Sequence, residues 1–264
     1  MKTKLVRNQT PELLELERKN AELLRLEAEL AEAELDLITL TTELAAFERK
    51  YLGIIGVKYA ELDKIEVKIA EEEARSNPSD AELRERFYQA QARARKSSDS
   101  TAKEPSLNEQ NRFEPSDELR KLYRAVAKAI HPDLATDEEE RKLRTRLMVE
   151  ANLAYESGDL LALQKILSEW EKRPEAITEE GVASELILVI RKIDQIQRRL
   201  DTIKTEIINL TNSDLYSLMV RVTETMKEGR DLLKEMSVKL DDDIAHAYVQ
   251  LKKATQKNKR KTNK

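Results

Sequence analysis

Leucines recur every seven residues early in the chain, and this spacing is the feature that most constrains the fold. The first row comprises Leu16, Leu23, Leu30, Leu37, Leu44 and Tyr51. A second row lies three residues behind it and comprises Leu26, Ala33, Leu40, Phe47 and Ile54. Two such rows form an apolar seam along one side of an α-helix, and a seam of this length requires a partner helix. We therefore predict an N-terminal coiled-coil helix over residues 10–75, with Thr10 as its N-cap and Pro11 as its first residue.

The phase of this repeat slips by four residues near Gly53 and Gly56. A slip of this kind locally unwinds a supercoil, and glycine lowers helix stability. We expect a bend or a change of partner helix at this point.

Heptad spacing returns in the second half of the chain. One row comprises Leu186, Ile193, Leu200 and Ile207, and the other comprises Val189, Ile196, Ile203 and Leu210. A further row comprises Met219, Met226, Leu233 and Leu240. These rows predict C-terminal coiled-coil helices over residues 181–255, with either a hairpin turn or a weak point at 211–213. The lysine-rich residues 256–264 are predicted to be a basic disordered tail.

Composition supports an all-α fold and excludes several classes of function. Charged residues make up 37% of the chain and aromatic residues 4%, which is typical of long helices. The net charge of −4 provides no overall field towards nucleic acid or anionic lipid, so neither nucleic acid nor membrane is an expected partner. Without cysteine, the chain offers no disulfide framework and no thiol nucleophile. With no signal-peptide pattern either, we predict a cytoplasmic protein.

A polar region separates the first coil from the middle of the chain. Asn77-Pro78 ends the first coil, and Ser79-Asp80-Ala81-Glu82 matches a capping box that opens a short helix to about Arg95. The segment after it lacks apolar periodicity. We predict a short helix and a flexible polar linker over residues 76–115.

A compact helical block follows, beginning at Ser116 as an N-cap. Its first helix has one apolar face, formed by Leu119, Leu122, Tyr123, Val126, Ala127 and Ile130. The opposite face is basic and carries Arg120, Lys121, Arg124 and Lys128. An apolar stripe beside a cationic ridge on a short helix indicates a docking surface.

The tripeptide His131-Pro132-Asp133 ends this helix, because a residue before proline disfavours the α conformation. We expect the tripeptide in an exposed loop at the tip of an antiparallel hairpin. The second helix of that hairpin is capped at its end by Gly158, and a third helix follows from Asp159. The predicted core of the block comprises Leu122, Tyr123, Val126, Ile130, Leu147, Ala151, Tyr155 and Trp170.

The stretch LRKLYRAVAKAIHPD, followed by LMVEANLAYESGD, resembles the J-domain of DnaJ-type co-chaperones over residues 116–170. The heptad rows and the resemblance together predict an all-α protein in which long coiled-coil helices flank a small J-domain-like helical hairpin. The resemblance also implies that the partner is a DnaK-type ATPase chaperone. His131, Pro132 and Asp133 would then be the loop that stimulates ATP hydrolysis by the partner. Arg120, Lys121, Arg124 and Lys128 would contact its acidic surface.

The chain departs from the family pattern at one place. The family's short first helix is missing, and the polar segment NEQNRFEPS stands where it would be. The hairpin must therefore be covered by the helix of Trp170 or by the coiled-coil segments.

The resemblance makes a co-chaperone the favoured function, with coiled coils that oligomerise the chain or bind a client. The alternative is a coiled-coil scaffold or adaptor whose J-like module does not stimulate a chaperone. In neither case is the chain an enzyme, since no nucleophile–base pairing or phosphate-binding loop is present. No cofactor or metal is expected, because His131 and Asp133 lack a second cluster of ligands. The coils could pair with each other, with a second copy in a homodimer, or with another protein.

Overall fold

The computed structural model describes residues 10–102, 113–173 and 181–262, and over these ranges the chain is helical and contains no strand. The predicted all-α fold is confirmed. The described residues form two compact units. Unit 1 comprises residues 10–43, 113–173 and 181–213, and unit 2 comprises residues 44–102 and 214–262. None of the described helices carries an apolar stretch long enough to cross a membrane.

The helices have the following bounds in chain order. They are α1 (Pro11–Tyr51), α2 (Val57–Ser76), α3 (Ala81–Ala102), α4 (Asp117–Ile130), α5 (Glu138–Ser157), α6 (Leu160–Glu171), α7 (Val182–Thr211), α8 (Asp214–Lys227) and α9 (Leu232–Thr262). A π-helical turn (Leu52–Gly56) joins α1 to α2, and a 3-10 turn (Pro132–Leu134) lies between α4 and α5.

In unit 1, the predicted heptad positions of α1 and α7 bury one another. The shared cluster contains Leu16, Leu23, Leu26, Leu30 and Leu37 of α1 with Val189, Ile193, Ile196, Leu200 and Ile203 of α7. The two helices run in the same direction, because Glu34 pairs with Arg199, whereas Thr41, further along α1, lines a cavity with Asn209. The apolar seam of α1 is therefore covered within one chain, while supercoiling of the two helices stays a prediction.

The block around the tripeptide forms the second cluster of unit 1. α4 and α5 run antiparallel, since Tyr123 Oη donates to Asn152 Oδ1 at 2.7 Å and Arg144 Nη1 donates to the Ala129 carbonyl at 2.9 Å. All the predicted core residues lie in this cluster, with Leu122, Leu147 and Trp170 at its partly buried margin. The cluster also contains Ala31, Leu35 and Ile38 of α1, which lie outside the heptad rows. The predicted hairpin is confirmed, and α1 and α6 together cover it.

Local capping defines the ends of the block as the sequence predicts. The Ser116 hydroxyl accepts from the Leu119 N–H at 3.1 Å, and the Asp159 carboxylate accepts from the Ala162 N–H at 2.9 Å. Gly158 ends α5 with φ of +71°, a left-handed conformation that only glycine adopts without strain.

Unit 2 is built around α2. α3 runs antiparallel to α2: Arg93 pairs with Glu66 at 3.2 Å, and Thr101, further along α3, lies against Gly56 at the start of α2. α9 runs parallel to α2: Asp241 pairs with Lys58, and Asn258, further along α9, bonds Glu72 near the end of α2. The predicted change of partner is confirmed, because Phe47 and Ile55 pack with Val222 of α8 and Leu233 of α9 rather than with α7. A Cβ at Gly56 would lie 3.2 Å from Thr101 Cγ2, so this glycine lets α3 approach closely.

Three expectations for unit 2 are wrong. α3 continues to Ala102 rather than to about Arg95, so the predicted linker is helical over 96–102; residues 103–112 lie outside the described residues. α9 continues to Thr262, so residues 256–262 are helical and not a disordered tail, while 263–264 lie outside the described residues. The Asn258 amide donates to the Glu72 carbonyl at 2.7 Å, a contact that local composition does not predict.

The third error concerns the last apolar row. A turn at 228–231 separates α8 from α9, so the row from Met219 to Leu240 does not follow one helix. Met226 is consequently 54% exposed, whereas Leu233 and Leu240 are buried. Residues 211–213 do interrupt the helix as expected, between α7 and α8.

Candidate functional site

The His-Pro-Asp tripeptide forms a tight turn at the end of α4. His131 adopts φ −56° and ψ +133°, the extended conformation that a following proline favours, and α4 ends there as predicted. Pro132 begins a single 3-10 turn, closed by hydrogen bonds from the Leu134 N–H to the His131 carbonyl and from the Ala135 N–H to the Pro132 carbonyl, each 3.1 Å. Local hydrogen bonds and the proline ring therefore define the shape of the tip.

The tip is packed against α1 and α7, and the prediction of an exposed loop is wrong. His131 is 4% exposed, Leu134 and Ala135 are buried, and Pro132 and Asp133 are half-buried. His131 Nδ1 accepts from the Asp133 N–H at 3.1 Å, so its proton resides on Nε2, which donates to Glu34 Oε1 at 3.1 Å. The sequence gives no local sign of this contact, because Glu34 lies on α1, 97 residues earlier.

Glu34 is the centre of a buried ionic group. Besides the bond from His131, its two carboxylate oxygens accept from Arg199 Nε at 2.7 Å and from Arg199 Nη2 at 3.1 Å. This two-point pairing is the strongest geometry for an arginine and a carboxylate. Burial alone would raise the pKa of Glu34, but the hydrogen bonds from His131 and Arg199 outweigh it and hold the pKa below its ordinary value.

Acidification is expected to destabilise unit 1 through Glu34. Because its pKa is lower in the folded than in the unfolded chain, the carboxylate stabilises the fold fully above its ordinary pKa of 4.5 and loses that contribution as the pH falls through the lowered value. Urea unfolding followed by Trp170 fluorescence, from about pH 7 to about pH 3, measures the effect. Glu34→Gln should reduce the decline, whereas Glu29→Gln should leave it unchanged. Equal pH dependence of the wild type and Glu34→Gln would contradict this assignment.

The Asp133 end of the turn is held by α7. With its amide oriented to satisfy both neighbours, Gln195 donates to the Asp133 carbonyl at 3.0 Å and accepts from Arg141 Nη2 at 3.2 Å. α1 therefore binds the His131 side of the turn, and α7 binds its Asp133 side.

The predicted basic face of α4 lies beside carboxylates of α1. Arg124 Nη1 pairs with Glu32 Oε2 at 2.7 Å. Arg120, Lys121 and Arg124 line a groove of about 430 Å³ together with α1 carboxylates that include Glu32 and Asp36. Burial, and next the neighbouring Glu32, raise the pKa of Asp36. α4 presents cations to the groove, as the sequence predicts, and the carboxylates that line it come from α1 and from Asp117 at the start of α4.

Sequence reasoning missed Arg144, which fixes the end of α4. Its guanidinium donates to the Ala129 carbonyl at 2.9 Å, one of the carbonyls that the end of α4 leaves without an intrahelical partner. It also donates to the His131 carbonyl at 3.3 Å. Arg144 also stacks 4.5 Å from the centre of the Trp170 ring. The sequence does place Arg144 next to Leu143 and three residues before Leu147, and this position beside the apolar face could have indicated that its side chain packs against the block.

The described residues contain no group of three or more His, Asp and Glu side chains placed to hold a metal ion. Comparison of the chain with protein-family models, curated proteins and solved structures found no match. The resemblance of residues 116–170 to a J-domain therefore stays a prediction from the motif residues.

Proposed function

We propose that this chain is a J-domain-type co-chaperone that docks on a DnaK-type ATPase chaperone and stimulates its ATP hydrolysis. One observation carries the proposal: the basic row of α4 leads into the His-Pro-Asp turn, with Lys128 in the last turn of the helix. Arg120, Arg124 and Lys128 follow one another at four-residue spacing, and they therefore share one side of the helix. The row ends three residues before His131, so an acidic partner that binds the row would lie next to the turn.

The roles of the residues follow from this arrangement. Arg120, Lys121, Arg124 and Lys128 would orient a transient encounter with an acidic surface, an attraction that weakens as salt is added. His131, Pro132 and Asp133 would then contact the partner as a preformed turn, so little ordering is needed on binding. The partner performs the hydrolysis, and this chain needs no cofactor. We place the pair in the cytoplasm.

A second candidate is a scaffold or adaptor in which the J-like module does not stimulate a chaperone. The burial of His131 and its hydrogen bond to Glu34 favour this alternative. In that case the tripeptide would attach the module to α1 and α7, and its chemistry would be wholly structural.

ATP turnover of a DnaK-type chaperone at saturating concentrations of this chain separates the two functions. The co-chaperone proposal expects the wild type to raise turnover and His131→Gln to abolish the increase. His246→Gln is the matched control, because it changes the other histidine of the chain, on the exposed surface of α9. If the wild type leaves turnover unchanged at saturation, the co-chaperone proposal fails and the scaffold remains.

A further inference from the structure

We infer that α1 holds the docking surface of the module closed through Glu32 and Glu34, and that a chaperone must displace α1 to reach His131. The inference rests on the proposed function and describes its regulation. Glu32 and Glu34 lie on different sides of α1. Glu32 pairs with Arg124 of the basic row, and Glu34 accepts from His131 of the turn, so each occupies a group that an acidic partner would bind.

One group of the turn and one cation of the basic row are occupied in this way. His131 is only 4% exposed, and its Nε2–H is already donated to Glu34. Arg124 Nη1 is likewise bound to Glu32 at 2.7 Å. A partner carboxylate cannot reach the Nε2–H of His131 while α1 is in place, and it must compete with Glu32 for Arg124. Arg120, Lys121 and Lys128 remain exposed, so a first encounter with an acidic surface is still open.

Closure has a second, apolar component beside the charges. Ala31, Leu35 and Ile38 of α1 pack into the core of the module, and the Thr39 hydroxyl is hydrogen-bonded to that of Tyr155 at 2.8 Å. These contacts favour the closed arrangement without involving the docking groups. The carboxylates are therefore the right positions to change, because their substitution weakens closure and leaves these apolar contacts in place.

The closed arrangement should change the concentration dependence of stimulation rather than its maximum. When only a fraction of molecules is binding-competent, the apparent dissociation constant rises by the inverse of that fraction. Glu34→Lys places a cation against Arg199 and His131 and should lower the half-maximal concentration about tenfold. Glu32→Lys removes the half-exposed ion pair with Arg124 and should lower the half-maximal concentration about threefold. Because this pair is partly exposed, Glu32→Lys should disturb folding less than Glu34→Lys does.

Glu29→Lys is the matched control for these variants. It makes the same charge change on the same helix, at a side chain that is 47% exposed and pairs with Arg25 of α1. It should leave the half-maximal concentration unchanged. If both Glu34→Lys and Glu32→Lys behave like Glu29→Lys, closure by α1 is overturned.

A crosslink provides a test that does not depend on weakening the fold. Because the chain has no cysteine, Asp36→Cys and Asp117→Cys, on opposite sides of the groove, can be joined uniquely by a short bismaleimide. Neither residue belongs to the docking set. The joined chain should fail to stimulate even at saturation, whereas the same chain capped with N-ethylmaleimide should stimulate. If the joined and capped chains stimulate equally, the inference that α1 closes the docking surface is wrong, and the proposed function stands. If the wild type is inactive at saturation, the proposed function itself is wrong.

Discussion

Replacing Tyr155 with alanine is expected to lower the free energy of unfolding of unit 1 by about 3–5 kcal/mol. The side chain is 0% exposed. Its ring lies 4.8 Å from that of Tyr123 and 5.5 Å from that of Phe113, in the cluster that joins α4 and α5 to α1. Truncation would remove these contacts and leave a cavity between three helices, because the surrounding structure collapses only partly around a lost ring.

Two variants isolate the contribution of the ring. Tyr155→Phe keeps it and removes only the hydroxyl that is bonded to Thr39, so it should cost about 1 kcal/mol. Leu161→Ala, at a side chain that is 77% exposed, should change stability by no more than about 0.5 kcal/mol. Urea unfolding followed by the fluorescence of Trp170 reports on this cluster, because Trp170 is the single tryptophan of the chain and packs against it. A loss for Tyr155→Ala no greater than for Tyr155→Phe would contradict the packing described.

Removal of the Glu34 carboxylate is the second large expected effect. Glu34→Ala should lower the free energy of unfolding by about 2–3 kcal/mol, because it leaves the charge of Arg199 without its main partner. The estimate is below that for a fully buried pair, since the Arg199 side chain is 29% exposed and keeps a bond to Glu206. The Nε2–H of His131 also loses its acceptor in a buried position.

A double-mutant cycle measures this coupling. Glu34→Ala, Arg199→Ala and the double variant should give an interaction energy above about 1 kcal/mol, since the two side chains share two hydrogen bonds. The exposed pair of Asp194 with Arg198 is the control, and its cycle should give no more than about 1 kcal/mol. Equal interaction energies in the two cycles would show that Glu34 is not buried as described.

The sequence predicts the ends and faces of the central helices well because the signals for them are local. Ser116 bonds the N–H of a residue three positions later, and Pro132 restricts the residue directly before it. Heptad rows likewise predict which side chains of α7 are buried, because the position of a side chain around a helix follows from its spacing alone. These features are decided by interactions within a few residues.

The ends of α3 and α9 were predicted wrongly because they depend on contacts with distant residues. The composition of residues 96–102 and 256–262 is polar and charged, which resembles a linker and a tail. Both segments are nevertheless helical, and Asn258 bonds Glu72, a residue of another helix. The lysines and glutamine of residues 256–262 are good helix formers, and packing against another helix favours the helical state of such a segment. No local pattern indicates that a neighbour is present.

By itself the sequence determined an all-helical chain, the seams of α1 and α7, and a hairpin that ends in a tight His-Pro-Asp turn. The tertiary structure alone decided that α1 also packs through Ala31, Leu35 and Ile38, and that Glu34 reaches His131 across 97 residues. A repeat reveals one face of a helix, whereas the partner of a second face depends on where distant segments come to lie. The His-Pro-Asp turn is buried through contacts with such distant segments, and the sequence therefore did not predict its burial.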